Sequence, residues 1–353
     1  MIQVFKKTFY TYFKHKNKVI LTLSAFFIIT IIALISKFHF KDTDKIYSVL
    51  NNILQFSGIY SAILITFIVS KIFQIRQEKL ERLQEIIVLS HKTTDFRRVC
   101  NIILETDDFW EAQMKDKLNT KLKDLHYFHI YIEEDSDNIE VKNLINQFYQ
   151  EKNISGANFY LALKSFVQSD NNRFHMELSD EYDYNIIYSY EILKKWVGSE
   201  ASNSFWYYLE YKWHDYKEIF DICSISRNDK EKIYSLAAKI DNNGNRTTEF
   251  NKDILVDLGN YLNFMVLPRL YQLTRINETG ISKTLNLIIV NLVMVMIFGV
   301  FLPIIVTSID LKLKVLITIA YFGILLLGMS MLYFVYYFRM FLKQEIIVDK
   351  NNA

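Results

Sequence analysis

Proline is nearly missing from this chain: there are two among 353 residues, with nine glycines and two cysteines. So few breakers argue against a loop-rich or all-β design and in favour of long helices. Cys100 and Cys223 cannot build a disulfide framework and fit no zinc spacing, so both read as reduced, buried small hydrophobes of a cytosolic region. The familiar catalytic signatures are missing as well. The chain has no phosphate-cradling glycine-rich loop, no His-Glu-x-x-His, no Gly-x-Ser-x-Gly and no paired-cysteine motif.

Charge is absent from four stretches. Residues 285–309 and 315–338 run for 25 and 24 residues without a charged side chain, and 19–36 and 46–70 for 18 and 25. At about 1.5 Å of rise per residue, helices of this length cross a hydrocarbon core of about 30 Å. The 19–36 run is longer than the apolar part of a signal peptide and no small-x-small site follows it, so it reads as an uncleaved span. The expected fold is an all-α membrane protein, with two transmembrane helical hairpins flanking a helical cytosolic domain. Its expected parts are a basic N-terminal segment (1–18), hairpin 1 (19–73, spans 19–36 and 46–70), the domain (74–284), hairpin 2 (285–338, spans 285–309 and 315–338) and a tail (339–353).

The remaining charge is unevenly spread. Residues 74–283 carry 27 Lys and Arg against 34 Asp and Glu, while the rest of the chain carries 14 against 5. An acidic middle region makes nucleic acid a poor partner, and the lipid bilayer is the expected one. Residues 1–18 hold five lysines and no acid, and Lys71, Arg76, Lys79, Arg82, Arg339 and Lys343 flank the spans. Lys37, Lys41, Lys45, Lys312 and Lys314 sit in the two short loops. The bias places both termini on the cytoplasmic side of a multi-pass inner (plasma) membrane protein.

The middle region has helical periodicity throughout. Residues 71–90 continue the second span, with Phe73, Leu80, Leu83 and Ile87 at heptad spacing. Asp95 is placed as an N-cap before Phe96, Val99, Cys100, Ile103 and Leu104. Asp107 or Asp108 opens a helix whose stripe is Trp110, Met114, Leu118, Leu122 and Leu125. Turn chemistry marks 169–184 and 241–248. A helix over 249–267 with Phe250, Ile254, Leu258, Tyr261 and Met265 on one face should end or kink at Pro268.

Several residues are candidates for function. Asn51, Gln55, Gly58, Ala62, Thr66 and Ser70 recur every three or four residues in the second span, forming a small and polar stripe for helix packing or pore lining. Ser57 with Ser61 and Gly58 with Ala62 are its small-xxx-small pairs. Asn286 and Asn291 belong with the stripe, and Pro303 should kink the third span. Arg97 and Arg98 are candidates for an anion or lipid headgroup, against the plainer reading of a salt bridge to Asp95 or Glu105. His126 and His129 with Glu133 or Glu134 read as an accidental surface pair, so no metal and no cofactor are expected. The aromatic run Phe205, Trp206, Tyr207, Tyr208, Tyr211 and Trp213 covers every direction of a helix and reads as core plus a partner contact.

The expected function is a non-enzymatic homo-oligomeric assembly. Its cytosolic domain senses a ligand or protein partner and acts on the membrane helices, with pore formation as one outcome. The layout loosely resembles small membrane effectors of bacterial antiphage systems, though no shared motif carries the resemblance. The alternatives are a membrane-anchored scaffold and an enzyme with an unfamiliar site. Asp, Glu, Lys, Arg and His are missing from every span, which argues against a proton-coupled transporter.

Overall fold

The computed structural model describes residues 43–131, 138–151, 156–167, 178, 187–241, 250–278, 283–309 and 311–352, with side chains for all of these except 283 and 341–352. The basic segment 1–18, the span 19–36, the turn at 242–248 and all of 169–184 except Leu178 lie outside the described residues. Among the described residues there are helices and no strand. Among the described residues three helices are long and apolar enough to cross a membrane: Thr43–Glu105, Thr284–Thr307 and Leu313–Met340.

In chain order the helices are α1 (Thr43–Glu105), α2 (Ala112–Thr120), α3 (Tyr127–Tyr131), α4 (Ile139–Gln150), α5 (Ala157–Val167), α6 (Tyr190–Gly198), α7 (Asn203–Trp206), α8 (Trp213–Tyr216), α9 (Arg227–Ile240), α10 (Lys252–Tyr261), α11 (Leu267–Glu278), α12 (Lys283–Val295), α13 (Leu302–Thr307) and α14 (Leu313–Asn352). They fall into two compact units, Lys79–Thr279 and the remainder of the chain, with α1 contributing residues to both.

The unit Lys79–Thr279 is built around α5, whose residues are buried on every side except at Asn158. An all-round apolar helix of this kind belongs in the middle of a helical domain. Phe159 and Phe166 of α5 meet Phe205 and Phe96 edge to face, at centroid distances of 5.3 and 5.4 Å. The stripe of α9, Ile233, Leu236, Ala237 and Ile240, is buried as its spacing requires.

Several local expectations are corrected. Asp95 is not an N-cap: α1 runs through it unbroken, and its carboxylate accepts from Arg98 one turn on at 2.9 Å. The apolar side of α1 beyond the span also differs from the heptad reading, since Phe73 and Leu80 are exposed and Ile86 is buried. Residues 107–109 form a short 3-10 turn, and the helix proper is α2, capped at Glu111; the stripe from Trp110 to Leu125 is buried but divided among separate elements. Cys223 is exposed, whereas Cys100 is buried.

Both prolines stand inside helices, and each is handled in the same way. A π turn, Leu262–Val266, leads into α11, whose second residue is Pro268; another, Met296–Phe301, leads into α13, whose second residue is Pro303. Proline has no N–H to donate and its ring crowds the carbonyl four residues back, and a widened turn relieves both problems. Pro268 therefore does not end its helix, which continues to Glu278. The extra residue of the π turn also shifts the buried face: Val266 is buried, while Met265, on the expected stripe, is 61% exposed.

Candidate functional site

The second unit contains the most specific polar arrangement among the described residues. Its helices α1, α12 with α13, and α14 share an apolar core of Ile46, Leu50, Leu64, Leu285, Ile288, Val306, Leu316 and others. Buried in this core are Tyr60 of α1, Asn291 of α12 and Ser330 of α14, at 5%, 7% and 4% exposure. The Tyr60 hydroxyl donates to the Ser330 carbonyl at 3.1 Å, and the Asn291 amide donates to the same carbonyl at 3.2 Å. The Ser330 hydroxyl in turn donates to Asn291 Oδ1 at 2.8 Å. One side chain from each long helix thus satisfies the other two, as an apolar surrounding demands.

Small residues let these helices approach. A Cβ on Gly299 would collide with the Ser57 hydroxyl and lie 2.8 Å from Ser57 Cβ, so the π turn before α13 rests directly on α1. Ser57 sends its own hydroxyl back to the Ile53 carbonyl at 2.6 Å. On the other side of the cluster, Phe67 meets Phe334 and Phe338 edge to face at 5.9 and 5.5 Å. These pairings make α1 and α14 parallel to each other and antiparallel to α12.

The six residues of the stripe stay together on one face, and the two small-xxx-small pairs part from each other. Ser57 and Ser61 are buried in the helix contact, whereas Asn51, Gln55, Gly58, Ala62, Thr66 and Ser70 all lie on the exposed side of α1. A Cβ on Gly58 would meet nothing within 4 Å, and the Thr66 hydroxyl donates to its own helix at the Ala62 carbonyl. Asn291 belongs to the three-helix contact, while Asn286 is exposed. Sequence reasoning missed Tyr60 and Ser330. A signal existed: Tyr60 is the fifteenth residue of its apolar run, Ser330 the sixteenth of its own, and Asn291 the nineteenth counted back from the far end of the antiparallel run. The three polar groups therefore lie at nearly one depth.

In the other unit, Arg97 is fully buried. Its Nε donates to the Phe166 carbonyl at 2.5 Å, Nη2 to the Val167 carbonyl at 3.3 Å and Nη1 to the Tyr188 hydroxyl at 3.1 Å. The Trp196 indole donates to the Ser165 carbonyl at 3.0 Å. Together they satisfy the carbonyls that the C-terminus of α5 leaves over, and the cation sits at the negative end of the helix dipole. Arg98 pairs with Asp95 at 2.9 Å. The Arg97 guanidinium, a candidate for an anion or headgroup, is thus occupied inside the domain, by carbonyls and a phenol in place of the plainer Asp95 or Glu105 pairing.

The histidine pair is close, with ring centroids 5.3 Å apart and His129 Nδ1 accepting from the His126 backbone N–H at 3.4 Å. Burial, then His126 and Lys195, push His129 down to about 4. Glu133 and Glu134 lie outside the described residues, and among the described residues no group of three His, Cys, Asp or Glu could hold a metal ion.

The aromatic run divides between core and surface. Phe205, Tyr208 and Leu209 are buried, while Tyr207 and Tyr211 are exposed and Trp206 stacks on Tyr211 at 5.2 Å. Lys212 lies over the Tyr211 ring at 5.6 Å and Lys252 over the Trp213 ring at 5.8 Å, and Asp257 is raised above its usual range by partial burial and then by Asp253, Glu210 and Asp241.

Compared with protein-family models, with curated proteins and with solved structures, the chain finds no match.

Proposed function

We propose that this chain is a polytopic inner-membrane protein, oligomeric and non-enzymatic, whose helical cytosolic domain senses a ligand or protein partner and acts on the membrane helices to open a pore. The observation that carries the reading is the extent of α1. One uninterrupted helix brings Tyr60 to the three-helix polar contact and Arg97 to the core of Lys79–Thr279. Repacking around Arg97 thus has a continuous helical path to Tyr60. In this proposal the spans are 19–36, 46–70, 285–309 and 315–338, with both termini and the domain cytoplasmic, as the lysine and arginine bias favours.

The exposed face of Asn51, Gln55, Gly58, Ala62, Thr66 and Ser70 supports assembly into an oligomer, since polar groups on a span need either water or a neighbouring helix. The experiment is dye release or conductance from liposomes carrying the purified chain, compared with the double variant Asn51→Leu, Gln55→Leu. Leak that falls in the variant supports a pore lined by this face. A bilayer that stays tight favours the second reading, a membrane-anchored scaffold holding a partner at the exposed Tyr207 and Tyr211.

A further inference from the structure

A groove opens between the first turns of α1 and α14, lined by Ile46, Val49, Ile317, Ala320, Tyr321 and Ile324. It is shallow, enclosing only about 10 Å³, room for about one water-sized sphere, and apart from Tyr321 its lining is aliphatic. From Ile317 to Ile324 it follows α14 for about 10 Å at the helical rise. That is a shallow apolar furrow along which part of an extended chain can lie, with no room for a compact polar ligand.

Charge gathers at one end of the groove. Because α1 and α14 are parallel, their N-termini lie at the same end of the cluster, and Lys45, Lys312 and Lys314 are all exposed there. Asp44, also exposed, is the acidic residue of that first turn. The N-terminus of α14 adds partial positive charge to the three lysines. An aliphatic furrow with cations at one end, at the level where a span meets headgroups, is complementary to one class of molecule.

We infer that this groove binds an anionic phospholipid, its phosphate held at Lys45, Lys312 and Lys314 and part of an acyl chain lying along Ile46, Ala320 and Ile324. The inference rests on the reading of α1 and α14 as membrane spans. It also gives a role to lysines in the short loops, where the orientation bias alone would not place them.

The test uses the full-length chain purified in detergent. Retention in the detergent phase and resistance to carbonate extraction are measured first, so that failure of the membrane reading is seen separately from failure of the lipid site. Native mass spectrometry then counts lipid adducts on titration with phosphatidylglycerol or with phosphatidylcholine of the same acyl chains. Phosphatidylglycerol should be retained at least fivefold better. Removing the lysines (K45A, K312A, K314A) should cost on the order of fivefold per lysine at most and abolish the preference. Ala320→Trp, which fills the groove, should remove the tight adduct for both lipids. Glycerol phosphate should not compete; if it does, the headgroup alone is held and the acyl groove is refuted. Equal binding of the two lipids, or a lysine triple variant that keeps the preference, overturns the proposal. High-yield cross-linking of Ile324→Cys to a second copy would also overturn it, by placing another chain in the groove. The lysine variant, altered only at exposed positions, keeps the test decisive should Ala320→Trp fail to fold.

Discussion

The phenol of Tyr60 and the backbone of Ser330 lie 270 residues apart in sequence and 3.1 Å apart in space, and Asn291 from a third helix bonds to the same carbonyl. Asn291→Leu removes the amide and leaves the Ser330 hydroxyl without its acceptor. Interhelical hydrogen bonds in membranes average about 0.6 kcal/mol and reach about 1.7 kcal/mol. We expect Asn291→Leu to cost about 1 kcal/mol or more and Tyr60→Phe less, since the phenol can be lost without stranding a partner. Equilibrium unfolding in detergent measures both.

Gly299 against Ser57 is a steric contact. Gly299→Val should force α1 from the π turn before α13 and destabilise by about 1–3 kcal/mol, the usual range for overpacking. Ser57→Gly in the same chain should recover part of the loss, and thermal melting followed by size-exclusion chromatography checks the rescue.

Arg97→Met strips the hydrogen bonds from the end of α5 while keeping most of the side-chain volume. Leaving buried carbonyls unpaired should cost about 2–4 kcal/mol, and Arg97→Lys should recover little because an ammonium lacks the planar fork. Arg227→Ala is the control: its pair with Glu231 is 94% and 68% exposed, so its loss should fall within about 0.5 kcal/mol. Denaturant titration of the full chain compares the three.

His129 adds a pH dependence whose sign is fixed. Its proton affinity is lowered from 6.5 when unfolded to about 4 when folded, so between these values the unfolded chain binds a proton that the native chain does not. Stability is unaffected by this group above about 6.5, falls as the pH drops through the window, and levels off below about 4. His129→Gln should flatten that part of the melting-temperature profile relative to the unmodified chain.

The π turn before Pro268 exposes Met265 and buries Val266. In a Cys223→Ser background, which removes the exposed native thiol, Met265→Cys should react rapidly with a maleimide and Val266→Cys slowly. The reverse order would mean an unbroken α register from Ile254.

By itself the sequence determined the helical class, the position of three described apolar helices and most of the domain core, because spacing of three and four places Ile233, Leu236, Ala237 and Ile240 on one side of any α-helix. The tertiary structure decided which side of each span is packed. In α1, Ser57 faces a neighbour and Gly58 does not, yet they are adjacent small residues in one apolar run. Hydropathy cannot separate them, since a lipid-facing surface and a helix-facing surface are equally apolar. The same limit applied to Arg97 and Pro268. A cation buried on carbonyls and a proline carried inside a helix each depend on partners or turns that local pattern does not record, and only the packed chain supplies them.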